Sequence, residues 1–309
     1  MPHSPDFSWP DGRILFLGDS VTMEGTYVSI IEYELQKTFR DRAIDLIGLG
    51  LSGETASGLS EIMHEPLHGY VRPCVHQRLG AVLAKAKPSV IVACYGMNDG
   101  IYHPQSPARM QAFQDGIQRL IADSRAAGAK VLLLTPPPFD PVPVRAKLLP
   151  EDAPEFSYRA PFARYDTVLQ DYSRWIMGLD LPGVRAVDLN TPLTDYLQRR
   201  RTRNPDFCFS RDGIHPSPAG HLLMARTVLQ TWGLPIPTHD LDLELRTIQA
   251  DPFFVLVDRR RRARSDGWLN YVGYPGIGAE AIDSITPTES AAATLQAQIH
   301  LLAPAASSP

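Results

Sequence analysis

Cysteine is scarce in this sequence. Cys74, Cys94 and Cys208 are the three of that type among 309 residues, widely spaced and odd in number, which argues against a disulfide framework. Long apolar runs are lacking too. No stretch of about 18 apolar residues occurs, so no membrane span is expected. Charge of one sign is also missing: 30 Lys and Arg against 34 Asp and Glu give a formal charge of −4, without the basic excess that marks a nucleic-acid binder. The opening MPHSPDFSWPDG has no basic segment followed by an apolar one. No secretory signal is therefore read there, and the cytoplasm is the expected compartment. There is no internal repeat.

What is present reads as a folded, soluble chain, 44% hydrophobic and 21% charged, too apolar for a disordered one. Its length exceeds that of most single cores, so a main domain over residues 1–235 and an addition over 236–309 are expected. Five short, nearly continuous apolar runs occupy residues 13–17, 43–49, 89–95, 130–135 and 184–189, each closed by Gly, Pro, Asn or Asp. Strands of a parallel sheet covered on both faces have this character. Helical spacing of apolar residues falls between or after them, at 27–39, 75–87, 108–127, 165–177 and 218–232. The alternation predicts an α/β three-layer fold, α/β/α, with a five-stranded parallel sheet. Residues 241–248, 253–264 and 289–302 predict a mostly helical extension, packed on the core or forming an interface between copies of the chain. A Pro-rich insert at 136–161, carrying Phe139, Phe156 and Tyr158, has the length of a lid or binding loop.

In a sheet of this kind chemistry belongs at the carboxyl ends of the strands. The first strand ends in Gly18-Asp19-Ser20-Val21, which places a serine hydroxyl at a strand-to-helix turn, a setting suited to a nucleophile whose attack creates an oxyanion. The second runs into Leu51-Ser52-Gly53-Glu54-Thr55, and the third into Tyr95-Gly96-Met97-Asn98-Asp99, where the Asn98 amide could donate to an oxyanion. After the fifth comes Asp212-Gly213-Ile214-His215-Pro216. An Asp and a His three residues apart in a loop can face each other, the carboxylate holding Nδ1–H and leaving Nε2 free to take a proton from a serine. Taken singly, each has an ordinary reading: Ser20 as a helix cap, Gly53 as a turn glycine, Asn98 as an Asx turn, His215 as a structural imidazole.

Together the four segments resemble the SGNH/GDSL hydrolase family. GDSV at 18–21, SGET at 52–55, GMND at 96–99 and DGIHP at 212–216 match its four blocks in order. The resemblance covers residues 12–235 and leaves the tail unexplained. It implies a flavodoxin-like fold, Ser20 as nucleophile, His215 as general base oriented by Asp212, and an oxyanion hole made by the Ser20 N–H, the Gly53 N–H and the Asn98 side chain. It implies no metal and no organic cofactor. The expected activity is ester hydrolysis, most of all of acetyl groups on a carbohydrate or similar polar substrate. A lysophospholipase or thioesterase, an O-acyltransferase, or a silent binding protein of the same fold are the alternatives.

Other motifs lead elsewhere. Residues 48–53 spell G-x-G-x-x-G, but after the second strand and without the acidic residue a dinucleotide site needs. His64-Glu65-Pro66-Leu67-His68 spells H-E-x-x-H, yet a proline there is expected to deny both imidazoles one continuous helix. No G-x-S-x-G elbow is present, so the α/β-hydrolase fold is the poorer match. The basic run at 259–262, extended by Arg264, reads as a solvated helix face pairing with Asp251 and Asp258. Trp268, Tyr271 and Tyr274 could line a sugar site or an interface, or pack on the core.

Overall fold

The computed structural model describes residues 12–40, 42–234, 240–274 and 281–302. The expected boundary at 235/236, the opening segment read for a signal and the last few residues lie outside these. The order of elements is β1 (Ile14–Gly18), α1 (Ser20–Glu24), α2 (Thr26–Thr38), β2 (Leu46–Gly50), α3 (His64–His68), α4 (Leu79–Ala86), β3 (Val90–Cys94), α5 (Pro107–Ala126), β4 (Lys130–Leu134), α6 (Tyr165–Met177), β5 (Val184–Val187), α7 (Asn190–Arg201), α8 (Pro218–Thr231), α9 (Leu241–Ala250), α10 (Pro252–Val272) and α11 (Thr286–Leu302).

The five strands form one parallel sheet in the order β2-β1-β3-β4-β5. The three central strands are apolar, apart from the exposed Lys130 that opens β4, because both of their faces are covered. Ile14 and Phe16 enter one core with Tyr27, Ile30, Leu222 and Val228 of α2 and α8. Leu15 and Leu17 enter the other with Val82, Phe113, Ile117 and Tyr172 of α4, α5 and α6. The result is three layers with helices on both faces of the sheet. All five predicted strands and the main helices are found, with ends shifted by a few residues.

Three elements were not anticipated. Helices α1 and α3 have five residues each, too few to show a period. Helix α7 buries a narrow stripe of Asn190, Leu193, Tyr196 and Leu197 beneath a strongly polar sequence. Pro66 does not exclude His64 from a helix. It stands third in α3, where a missing N–H is one of the four that find no partner inside a helix anyway.

The basic run differs from its expected role. Arg260, Arg261 and Arg264 are buried, because α10 lies against α2 and β2. Arg260 pairs with the fully buried Glu32 of α2. Arg261 donates to Ser29 Oγ at 2.8 Å and to the Glu24 carbonyl at 3.0 Å. Arg264 donates to the Leu46 carbonyl and to Asp45, both at 2.8 Å, and pairs with Glu289 of α11 at 2.9 Å. The expected pairing with Asp258 is kept by the exposed Arg262 at 2.7 Å and, from its buried position, by Arg261 at 3.3 Å. Asp251 instead caps α10 and accepts from the Tyr33 hydroxyl. The aromatic cluster packs inward: Trp268 is 3% exposed and donates to Glu289, while Tyr271 and Tyr274 lie against the second core. Among the described residues no helix is long and apolar enough to cross a membrane.

Candidate active site

Three strand ends stand level. Gly18 of β1 is the register partner of Gly50 of β2 and of Cys94 of β3, so the loops after them leave the sheet at one edge. Close packing makes two of these residues glycine. A Cβ on Gly50 would lie 2.0 Å from the Met23 amide nitrogen, and one on Gly18 2.7 Å from the Cys94 carbonyl. Helix α1 therefore sits directly on the end of β2, with Ser20 as its first residue. Asp19 caps it, accepting the Val21 N–H at 3.0 Å. Burial pushes the Asp19 carboxyl up to about 7 against the pull of that N–H.

Gly53 has φ +74, a left-handed conformation that favours glycine, in the turn closed by Glu54 N–H to the Leu51 carbonyl. Glu54 is itself buried, held by Arg78 at 2.6 Å and by the Tyr95 hydroxyl at 2.6 Å. Asn98 follows β3. Its neighbour Asp99 ties the second and third loops together, accepting from the Ala56, Ser57 and Gly96 amides at 2.7–2.8 Å. The Asn98 Nδ2 faces the Asp19 carboxylate and the Glu54 carbonyl, both at a long 3.3 Å.

The 212–216 loop brings the remaining two residues. Asp212 Oδ1 accepts from the Ser210 hydroxyl and from the amides of Ile214 and His215, at 2.7, 3.0 and 2.9 Å. Its Oδ2 lies 2.7 Å from His215 Nδ1, and His215 Nε2 lies 2.7 Å from Ser20 Oγ. Burial raises the Asp212 carboxyl, but the bonds from His215, Ile214 and Ser210 outweigh it and hold the group well below the usual carboxylate range. The bond to Asp212 raises His215 above the ordinary 6.5, with burial opposing. The Pro-rich insert supports this loop from below. The Asp140 amide donates to the Gly213 carbonyl at 2.8 Å, and the buried Asp140 carboxylate takes Arg201 and the Phe209 amide.

All five residues expected from the sequence meet here. Ser20, Gly53, Asn98 and His215 line one pocket of about 150 Å³, with Asp212 behind His215. Six other lining residues lie outside the four blocks: His64, His68, Tyr70, Arg72, Tyr102 and Tyr158, of which Tyr158 belongs to the insert read as a lid or binding loop and Tyr70, Arg72 and Tyr102 carry no signal in the sequence. The H-E-x-x-H spacing marks His64 and His68, whose rings lie 4.5 Å apart, but among the described residues no group of three His, Cys, Asp or Glu is placed to hold a metal ion. Tyr158 of the insert reaches the rim, its hydroxyl 3.1 Å from His68 Nε2.

A model of the GDSL-like Lipase/Acylhydrolase family matches residues 16–223, from β1 into α8. The chain belongs to this family. Esterase TesA of Pseudomonas aeruginosa is 31% identical over 140 residues, 41% of this chain and 57% of TesA. A solved gut microbial diltiazem-metabolizing enzyme is similar over 72% of this chain and 47% of its own, with 21% identity and a TM-score of 0.53. An acetyl xylan esterase from Geobacillus stearothermophilus is similar over 75% of this chain and 99% of its own, at 19% identity and a TM-score of 0.49. The chain thus spans about half the length of the first two. The family match contains all four blocks and stops before α9, α10 and α11.

Proposed function

We propose that this GDSL-family chain is a carboxylic ester hydrolase that forms an acyl-enzyme on Ser20 and removes short acyl groups, acetyl above all, from a carbohydrate or similar polar alcohol. The observation that carries this reading is the unbroken line from Asp212 through His215 to Ser20, two contacts of 2.7 Å each, opening on a pocket at the carboxyl edge of the sheet. Nucleophile, base and orienting carboxylate are within hydrogen-bond reach of one another, which is what this chemistry requires.

Each residue then has a task. His215 Nε2 takes the Ser20 proton as Oγ attacks the carbonyl carbon. The resulting oxyanion is held by the Ser20 and Gly53 amides and by Asn98 Nδ2, donors fixed before the charge develops. His215 passes its proton to the leaving alcohol, then activates a water that releases the acid and restores Ser20. Asp212 holds the imidazole in the tautomer that leaves Nε2 free and stabilises the imidazolium while it exists. No step calls on a metal or organic cofactor.

Pocket size supports a short acyl group. Its volume, about 150 Å³, falls below the roughly 300–1,000 Å³ of sites that enclose drug-sized ligands. A long acyl chain would stay in water and forfeit about 0.8 kcal/mol for every methylene left unburied. The rim of His64, His68, Tyr70 and Tyr158 offers flat faces and polar tips, suited to a hydroxylated leaving group.

Hydrolysis of p-nitrophenyl esters from acetate to palmitate, with wild type beside Ser20→Ala, tests the reading. Turnover should peak at acetate and vanish in the variant. A peak at long chains would replace the polar ester with a lipid, and turnover retained in Ser20→Ala would remove the acyl-enzyme altogether.

A further inference from the structure

Beneath the pocket lies a buried ion pair that the reaction as described does not use. Arg72 is 5% and Glu61 3% exposed. The guanidinium grips the carboxylate with two parallel bonds, Nε to Oε2 at 2.5 Å and Nη2 to Oε1 at 2.6 Å. Burying such a pair brings little net stability, because desolvation offsets the attraction. Its remaining nitrogen, Nη1, is shared between two oxygens: the Gly53 carbonyl at 3.2 Å and Asn98 Oδ1 at 3.0 Å. Asn98 Oδ1 is the acceptor end of one of the three groups assigned above to the oxyanion, and the Gly53 carbonyl belongs to the peptide that directly follows a second, the Gly53 N–H.

We propose that Arg72, anchored by Glu61, is a positioning residue that holds the Asn98 amide by its oxygen, so that Nδ2 faces the reacting carbonyl, and braces the Gly53 turn through the carbonyl that follows its N–H. The inference rests on the hydrolase reading. A primary amide can present its oxygen or its nitrogen in either of two flipped orientations of nearly equal shape. A guanidinium can only donate, so it accepts one of the two. The Tyr102 hydroxyl, 2.9 Å from the same Oδ1, donates or accepts and would tolerate both; Arg72 at 3.0 Å sets the orientation from the oxygen side, and the Asp19 and Glu54 oxygens, at a longer 3.3 Å from Nδ2, favour the same one.

The backbone is strained to complete this cradle. Ile101 and Tyr102 have φ of +46 and +61, left-handed values that cost non-glycine residues about 1–2 kcal/mol each. That turn folds Tyr102 back onto Asn98, where the tyrosine stacks on Tyr165 at 4.9 Å and lies 5.5 Å beneath the guanidinium of Arg72. Glu61 neutralises the arginine, so what Arg72 contributes is the geometry of its fork rather than net positive charge.

The test uses p-nitrophenyl acetate turnover and the rate of Ser20 labelling by a fluorophosphonate, whose P=O oxygen occupies the same hole. Arg72→Met should lower kcat about 10²-fold, the cost of one lost oxyanion donor, leave KM within a few-fold and slow labelling in parallel. Arg72→Lys should fare little better, since an ammonium cannot hold a carboxylate with two bonds and span two further oxygens. Arg72→Met combined with Glu61→Leu removes the whole pair without stranding a charge, and should lose as much activity while remaining folded. In an Asn98→Ala background Arg72→Met should cost under tenfold, because its main target is gone. Wild-type kcat in Arg72→Lys or in the paired variant, or an undiminished loss in the Asn98→Ala background, overturns the proposal while leaving the hydrolase reading intact. Absence of Ser20 labelling in wild type overturns both.

Discussion

Exchanging Asp212 for asparagine separates the two jobs of that side chain. Oδ1 holds the loop through Ser210, Ile214 and His215, and an asparagine carbonyl can keep all three bonds. Oδ2 faces His215 Nδ1 at 2.7 Å, and there the variant presents a donor. Nδ1 must then accept, the ring proton moves to Nε2, and the nitrogen facing Ser20 is no longer a base. A general base is worth about 10²–10⁴-fold, and the wrong tautomer in a buried triad costs about 10⁴. The Asp212 side chain is 50% exposed, so water can partly replace it, and a fall of about 10²–10³ in kcat is expected. The pH profile moves as well. His215 works neutral, so kcat/KM rises with pH through its titration. In wild type the bond from Asp212, aided by the charges of Asp212, Asp19 and Glu24 and opposed by burial, lifts that rise above 6.5. With Asp212 neutralised, burial is opposed only by Asp19 and Glu24, so the rise shifts to lower pH while the plateau drops. Steady-state turnover of p-nitrophenyl acetate from about pH 5 to 9, with circular dichroism to verify folding, measures both. A plateau within threefold of wild type, or an unmoved rise, would refute the assignment of Asp212.

Asn98→Ala should reduce kcat by about 10²–10³-fold with a smaller effect on KM, since its Nδ2 acts when charge develops; stopped or initial-rate assays give the split. Arg260→Met strands the carboxylate of Glu32, which is fully buried, and should lower stability by about 3–5 kcal/mol, read as a lower denaturant midpoint at unchanged slope. Burial already raises the Glu32 carboxyl. Its protonation as pH falls should therefore relieve the variant, whose deficit is largest at high pH. Gly50→Ala places a methyl 2.0 Å from the Met23 nitrogen. It should cost about 1–3 kcal/mol as overpacking and slow turnover by displacing α1 and Ser20, both visible from one purified variant by melting and rate assays.

The sequence carries the reacting residues openly because each sits where a strand stops, next to a glycine, proline or acidic residue that marks the stop. Gly18-Asp19-Ser20 and Asp212 to Pro216 are local statements, complete within a few residues. Arg72 and Glu61 are not. Each would read as an ordinary surface charge, since nothing local marks its burial, and the oxygens that Arg72 holds lie 19 and 26 residues away. The arginines of α10 misled for the same reason on a larger scale. A run of like charges reads as solvated when its counter-charges are sought nearby, and Glu32 lies 228 residues earlier. Helix α7 hid because four buried residues in twelve give a stripe too narrow to stand out against its arginines.

Those distant pairs set an order of events during synthesis. At about 5–20 residues per second, on the order of 10–50 s separates the emergence of Glu32 from that of Arg260. Through that interval α2 carries a carboxylate without its partner, and β2 shows the surface that α10 will cover. The nucleophile helix also waits, since Arg261 takes the carbonyl of Glu24 at its end. Every residue of the reacting line is translated before α10 exists. A chain that ends after α8 therefore has its chemistry written but leaves bare the side of α2 and β2 that α10 covers, with Glu32 unpaired.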